Sequence, residues 1–148
     1  MSQKSSIGYV NLRVFTHVTE DPEKVLTAVH KILPADLAKT IQFKKNNLTG
    51  HHGNSITLFT TQFTEKTLLP ALLENFGQNI SILDKAELNT NIDVYIEKAN
   101  LYLRFDKQAA FLGKTKFTQN DPIHMKIHFK NKTREEILKI LKNSEMLP

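Results

Sequence analysis

Histidine and lysine alternate with apolar residues near the carboxyl end of the sequence. His124, Lys126, His128 and Lys130 occupy every second position of this stretch, and no acid lies among them. On a β-strand such residues share one face and lie about 6.5 Å apart, close to the spacing of phosphates along a nucleic-acid strand. The pattern predicts a cationic row on a solvent-facing strand surface. The alternative is the polar outer face of any half-buried strand, although such a face usually mixes both signs of charge.

The positive charge of the protein is concentrated in this region. The chain has 148 residues and a formal net charge of +5, and residues 104–132 hold seven bases and two acids, which equals the whole surplus. A localised excess of this kind is typical of a protein that binds a polyanion. We therefore predict that nucleic acid is bound through an electrostatic row, with two further bases as clamps on the backbone: Lys114, Lys116, Lys126 and Lys130 for the row, and Arg104 and Lys107 for the clamps.

Two adjacent histidines, His51 and His52, lie between Gly50 and Gly53. One interpretation is a metal site that would need a third ligand, such as His17 or Asp106, and would support a metal-dependent hydrolase. A second is a structural turn in which the glycines supply positive backbone dihedrals. The third is a ligand loop at the sheet edge that meets a phosphate or a base, and we place both histidines in the predicted nucleic-acid-binding set on that basis.

The remaining residue patterns do not support catalysis. Asp106, close to Arg104 and Lys107, has no partnered base or nucleophile, and a helix cap is a simpler role for it. The sequence has no cysteine, and it has no phosphate-binding glycine loop, nucleophile elbow or paired carboxylates. We expect a protein without enzymatic activity, cofactor or bound metal. Tyr102 is a candidate platform for stacking on an unpaired base, although core packing is the commoner role of an aromatic residue.

Residue periodicity divides the chain into strands and helices. Strands are predicted over residues 7–18, around 41–43, and over 55–63, 92–96, 101–105 and 123–129, with a four-residue hairpin loop at 97–100. Helices are predicted after the caps Asp21, Thr64, Ser81, Asp106 and Thr133. In the second helix Gly77 is expected just past the end, and Pro70 interrupts the pattern. The order of elements predicts one α+β domain over residues 1–148, with a largely antiparallel sheet and helices on one face.

Two segments of the sequence resemble a known family. Residues 48–54 read LTGHHGN and residues 100–113 read NLYLRFDKQAAFLG, and residues 14–21 and 121–124 fit the same pattern. These segments are similar to an archaeal family of small proteins described as predicted RNA-binding proteins or predicted exosome subunits. The resemblance implies RNA as ligand, no catalytic activity and a fold like that of the ribosomal protein that binds 5S ribosomal RNA.

The expectations for partners and location follow from both lines of reasoning. We expect a non-catalytic RNA-binding protein that contacts the RNA backbone through a basic sheet face and takes part in RNA processing. The alternative is an accessory subunit that contacts protein more than RNA in an RNA-processing complex. No apolar run is long enough for a membrane span, so a cytoplasmic location is expected, and a homodimer is left open.

Overall fold

The protein is built on one six-stranded sheet, described here by a computed structural model that covers residues 7–49, 53, 55–65 and 69–148. The strands pair in the order β2-β3-β1-β6-β5-β4, and each pairing is antiparallel. This confirms the predicted α+β class. The strands are β1 (Ile7–His17), β2 (Lys44–Thr49), β3 (Ser55–Phe63), β4 (Ile96–Glu97), β5 (Asn100–Phe105) and β6 (Ile123–Phe129).

The helices begin where the sequence supplies caps. Asp21, Ser81, Asp106 and Thr133 each accept a hydrogen bond from a backbone N–H of the first turn, as predicted. None of the helices in the described ranges is long and apolar enough to cross a membrane. The helices are α1 (Pro22–Lys31), α2 (Ala35–Ala38), α3 (Leu69–Asn79), α4 (Ile82–Thr90), α5 (Ile92–Tyr95), α6 (Lys107–Phe111) and α7 (Arg134–Asn143).

One face of the sheet forms the core together with the helices. Strand residues such as Leu12, Leu103 and Ile127 are buried in the same apolar cluster as Phe76 of α3 and Ile137 of α7. Because side chains alternate along a strand, the intervening residues point to the opposite face. On β1, β5 and β6 these intervening positions are half-buried or exposed. The helices therefore cover one face, and the other is the open face of the sheet.

The glycine in α3 corrects one predicted boundary. Gly77 was expected just past the helix end, but α3 continues to Asn79. A Cβ atom at Gly77 would lie 1.8 Å from the carbonyl oxygen of Ser144, at the end of α7, so the glycine permits close contact between two backbones. Pro70 is the second residue of α3, where its missing N–H costs no helical hydrogen bond. The predicted cap Thr64 precedes residues 66–68, which lie outside the described part of the chain.

The segment before β4 corrects a second prediction. Residues 92–96 were expected to form a strand, but Ile92–Tyr95 is one helical turn and only Ile96–Glu97 pairs with β5. In this turn Ile92 and Tyr95, three residues apart, face the core while Val94 is exposed. The hairpin loop is therefore two residues, with Lys98 at a φ of 57°. Apolar alternation over so few residues does not separate a strand from a helical turn.

Candidate nucleic-acid interface

A row of paired side chains runs across the middle of the open face. Lys44 of β2 pairs with Thr60 of β3, Thr60 pairs with Arg13 of β1, Arg13 pairs with His124 of β6, and His124 pairs with Arg104 of β5. Neighbouring strands lie about 4.8 Å apart, so these five positions, which we call the central row, extend over about 19 Å. Three of the five residues carry a permanent positive charge.

A second row lies beside the central row, two residues further along each strand. It consists of Gln62, Asn11, Lys126 and Tyr102, which pair in that order from β3 to β5. The side-chain amide of Gln62 donates to the Asn11 side-chain oxygen over 2.8 Å. This row brings hydrogen-bonding amides and a fourth cation next to the central row.

The two rows line a concave groove on the open face, with a volume of about 930 Å³, which we call the sheet groove. It includes four bases and one histidine, but no aspartate or glutamate. A concave surface lined by charges of one sign concentrates its potential on any ligand that enters it. The lining residues are Asn11, Leu12, Arg13, Gln42, Lys44, Thr60, Thr61, Gln62, Tyr102, Leu103, Arg104, His124, Met125 and Lys126.

His124 lies between two positive charges in the groove. Burial of the ring lowers the pKa of His124, and the charges of Arg13 and Arg104 lower it further, against a weaker opposing effect of Asp121. One guanidinium N–H of Arg104 donates to the Gln119 side-chain oxygen over 2.7 Å. The groove is therefore an electropositive site with partly ordered donors.

Aromatic side chains border the groove on one side. The rings of Tyr9 and His128 stack with centroids 4.8 Å apart, and the Lys126 ammonium group lies 5.6 Å from the Tyr9 centroid. The hydrogen bond with the Tyr9 side chain raises the pKa of Lys126. His128 is also hydrogen-bonded to Asn100 over 2.8 Å. Lys126 is thus positioned by contacts that leave its charge in place.

The structure brings only some of the predicted residues together. Arg104, Lys126 and Tyr102 line the sheet groove. At the margin of the sheet, Phe117 pairs with Phe105, whose side chain faces the core. Because side chains alternate along an extended segment, the preceding Lys116 points to the opposite side, as Arg104 does. Two of the three remaining predicted bases are exposed outside the groove: Lys130 follows the end of β6, and Lys114 follows α6.

Lys107 requires a correction, because its charge is already neutralised. Its ammonium group donates to Asp121 over 2.9 Å, to both oxygens of Glu20 over 3.1 and 3.2 Å, and to the Phe15 carbonyl over 2.6 Å. The side chain is only 10% exposed. These bonds, with His17 on Asp121, form what we call the Lys107 cluster. The predicted role of Lys107 as a clamp on RNA does not fit this arrangement.

The Lys107 cluster includes three side chains of the types that bind metal ions in proteins. Oxygen or nitrogen atoms of His17, Glu20 and Asp121 lie within 4.8 Å of one another, but Lys107 supplies the positive charge between the two carboxylates. Asp106, the other proposed partner of a histidine site, caps α6 by accepting from the Ala109 N–H. His51 and His52 themselves lie outside the described residues, so their role stays a prediction.

Two cations of the central row were missed in the sequence. Arg13 and Lys44 lie outside the basic segment 104–132, and their strands are brought next to β6 only by long-range pairing. A signal for Arg13 was present, since it alternates with core residues of β1 and must face outward. The same outward face of β1 also carries the aromatic residues Tyr9 and Phe15, so its sequence does not indicate a cationic surface.

The fold and the groove define a class of protein: a one-sheet α+β domain whose open face holds a cationic groove with no acid in its lining. Comparison with known proteins gives the family. Residues 9–129 match a family model described as RNA binding, and the chain belongs to this family. RNA-binding protein PAB1135 of Pyrococcus abyssi is 32% identical over 133 residues, which cover 88% of this chain and 86% of that protein.

Two other proteins resemble this chain, one in sequence and one in fold. The uncharacterized protein MJ0213 of Methanocaldococcus jannaschii is 28% identical, with 95% of this chain and 98% of that protein covered. The solved structure of Mth689, a DUF54 protein from Methanothermobacter thermautotrophicus, superposes with a TM-score of 0.75 at 24% identity over 97% of this chain and 99% of that one. The second similarity concerns the fold alone.

Proposed function

We propose that this protein binds RNA and that the sheet groove is the contact surface for the RNA backbone. The observation that carries the proposal is the composition of the groove, which has four bases, one histidine and no carboxylate. Family membership and the name of the P. abyssi relative support RNA as the polyanion. Bases in a groove without acids are available to phosphates, because no carboxylate in the lining neutralises their charge.

The groove favours binding over catalysis. His124 is its one titratable group near neutral pH, and the lining provides no carboxylate or cysteine that would complete an acid–base or nucleophilic pair. We therefore propose a non-catalytic protein whose contacts fix the position of RNA. Amide side chains such as Asn11 and Gln62 add hydrogen bonds that suit phosphate, sugar hydroxyl or base edges alike.

The proposal is tested by the salt dependence of RNA affinity in charge-reversal variants. We expect log affinity to fall linearly with log salt concentration, with a slope of about −0.7 to −0.9 per phosphate contacted. Lys126→Glu should weaken binding about tenfold for unrelated RNA sequences alike. Lys139→Glu is the matched control, because it makes the same change of charge at an exposed position of α7, in the helical layer.

Two outcomes would overturn the proposal. Affinity that is flat between low and high salt would exclude a contact dominated by phosphates. Equal losses for Lys126→Glu and Lys139→Glu would show that net charge, and not the groove, governs binding.

A second candidate function is that of an accessory subunit in an RNA-processing complex such as the exosome. The observation that favours it is the exposure of neighbouring apolar residues at the start of α4, where Ile82 is 84% and Leu83 is 82% exposed. Exposed apolar side chains that are adjacent in this way are typical of protein contacts. This surface lies on a helix and not in the sheet groove, so the two functions make separable predictions.

Co-purification after nuclease treatment tests this second function. We expect one stoichiometric partner to stay bound to the wild-type protein and to be lost from the Ile82→Ser/Leu83→Ser variant, while the RNA affinity is unchanged. A partner that is released by nuclease in both proteins would contradict a direct protein contact.

A further inference from the structure

We propose that Arg13, His124 and Arg104 together hold a single backbone phosphate, so that the middle of the sheet groove is a built phosphate site. This inference rests on the proposed function and makes it more specific. It assigns three side chains from three strands to one anionic group, rather than to a series of phosphates along the RNA.

The pairing of the strands brings the three side chains together. Arg13 and Arg104 are the direct partners of His124 on its two sides, in the registers Arg13↔His124 and Arg104↔His124. Each pair is separated by about one strand spacing of 4.8 Å. Arginine side chains are long enough to converge over the ring between them, and a guanidinium group can donate two parallel hydrogen bonds to one phosphate.

The charges around His124 favour an anion at this position. Arg13 faces it from β1, Arg104 faces it from β5, and Lys126 lies two positions along β6 on the same face. Asp121, in the segment before β6, is the acid that acts on His124, but its side chain is bound to Lys107 and His17. Within the described residues Arg13 has no acidic partner within 4.0 Å, and Arg104 is bonded only to neutral Gln119.

The same geometry links phosphate binding to a proton. In the free protein burial and the two arginines disfavour the charged form of His124. A phosphate between the arginines favours that form, because it neutralises their charge and accepts a second N–H of the ring. Binding therefore takes up a proton, and affinity should rise as the pH falls through the pKa of His124 in the complex.

The first test is the coupling between the two arginines. RNA affinity and its salt dependence are measured for Arg13→Gln, Arg104→Gln and the double variant, with a short RNA hairpin and with a ten-nucleotide single strand as probes. Arg134→Gln is the matched control, because Arg134 pairs with Asp93 in the helical layer. If one phosphate is shared, the double variant loses much less than the product of the single losses, and the salt slope changes by about 0.7–0.9 in all three variants.

Additive losses, with a slope change in the double variant twice that of each single variant, would overturn the single site. That result would mean that the arginines contact separate phosphates, and the proposed function would stand. If the wild-type protein itself does not bind RNA, the proposed function is refuted. The failure of the phosphate site and the failure of RNA binding are therefore distinguishable.

The second test is the pH dependence of affinity. We expect the wild-type protein to bind RNA about three- to tenfold more tightly at pH 5.5 than at pH 8, within the tenfold per pH unit that one linked proton permits. His124→Gln should remove this dependence, while His30→Gln, on α1, should retain it. The same pH dependence in His124→Gln as in the wild-type protein would overturn the role of His124.

Discussion

The sheet groove and the Lys107 cluster both contain positive charge, but their surroundings are opposite. In the sheet groove Arg13, Arg104 and Lys126 lie among amides and hydroxyls, with no acid in the lining. In the Lys107 cluster one lysine is enclosed by two carboxylates and a backbone carbonyl. The first group is available to an external anion, and the second is satisfied within the fold.

The comparison shows why a count of basic residues does not define a binding surface. Lys107 contributes to the charge surplus of residues 104–132, but its bonds join the end of β1, the β1–α1 turn and the segment before β6. A half-buried cation of this kind stabilises the fold, since removing it leaves two carboxylates without their partner. The positive charges in the groove instead destabilise the folded protein, because they repel one another until an anionic ligand binds.

The largest expected effect is the loss of RNA binding when the groove is neutralised. The variant Arg13→Gln/Arg104→Gln/Lys126→Gln should bind RNA about 100-fold more weakly near 0.1 M salt, from the loss of two phosphate contacts of about 1.5 kcal/mol each, one shared by the two arginines and one made by Lys126. Its thermal stability should be unchanged or slightly raised. Titration calorimetry measures the affinity. The control Lys24→Gln/Arg134→Gln/Lys139→Gln, with the same loss of charge in the helical layer, should lose less than threefold.

Removal of Lys107 should produce the reverse pattern. Lys107→Met leaves Glu20 and Asp121 unpaired, and we expect the free energy of unfolding to fall by about 2 kcal/mol. The RNA affinity of the folded protein should stay within twofold of the wild-type value. Urea unfolding measures the stability, with Lys24→Met on the exposed face of α1 as control. A tenfold loss of RNA affinity with unchanged stability would place Lys107 in the binding surface after all.

Asp121 gives the Lys107 cluster a pH dependence that the groove arginines lack. Burial raises the pKa of Asp121, but the hydrogen bonds and charges of Lys107 and His17 outweigh burial and hold the pKa below its ordinary value of 3.8. The stabilisation is therefore complete above this ordinary value and is lost as the pH falls through the lower pKa of the folded state. Because the side chain is 44% exposed, we expect a contribution of no more than about 1 kcal/mol.

Urea unfolding of Asp121→Asn measures this contribution. The difference in stability from the wild-type protein should be constant near neutral pH and should shrink in strongly acidic solution. Arg13→Gln, a groove variant, should show no such change with pH. A difference for Asp121→Asn that is independent of pH would contradict the ionic character of the Lys107 cluster.

The smallest expected effect concerns His124 in the absence of RNA. Arg13→Gln removes one of the two charges that lower the pKa of His124, so the pKa should rise toward its ordinary value. Nuclear magnetic resonance of the imidazole protons follows the titration. Arg134→Gln should leave it unchanged. No movement of the His124 pKa in Arg13→Gln would show that the two side chains do not approach each other.

The local features of the fold were predictable from the sequence, and the long-range ones were not. Strict alternation predicted β6 and its outward row, and Asp21, Asp106 and Thr133 predicted where helices begin. The cross-strand rows depend on β1 lying between β3 and β6, which a single sequence does not reveal. Glu20 and Lys107 are 87 residues apart in the sequence, so their ion pair could not be predicted from it either.

The candidate site was therefore predicted mainly from one basic segment of the sequence, whereas the sheet groove is arranged across five strands. Lys126 and Arg104 were identified because they belong to the basic segment, whereas Arg13 and Lys44 contribute through strand pairing. Gly77 illustrates the same limit in the helical layer, since its role depends on the end of α7 and not on its own neighbours in sequence.

The central claim is that RNA binds in the sheet groove, and backbone amide chemical-shift mapping tests it most directly. On addition of a short RNA hairpin or single strand, we predict the largest shifts at Arg13, Thr60, Arg104, His124 and Lys126, with little change in α1 and α7. Shifts confined to the helical layer, or centred on the Lys107 cluster, would contradict the account.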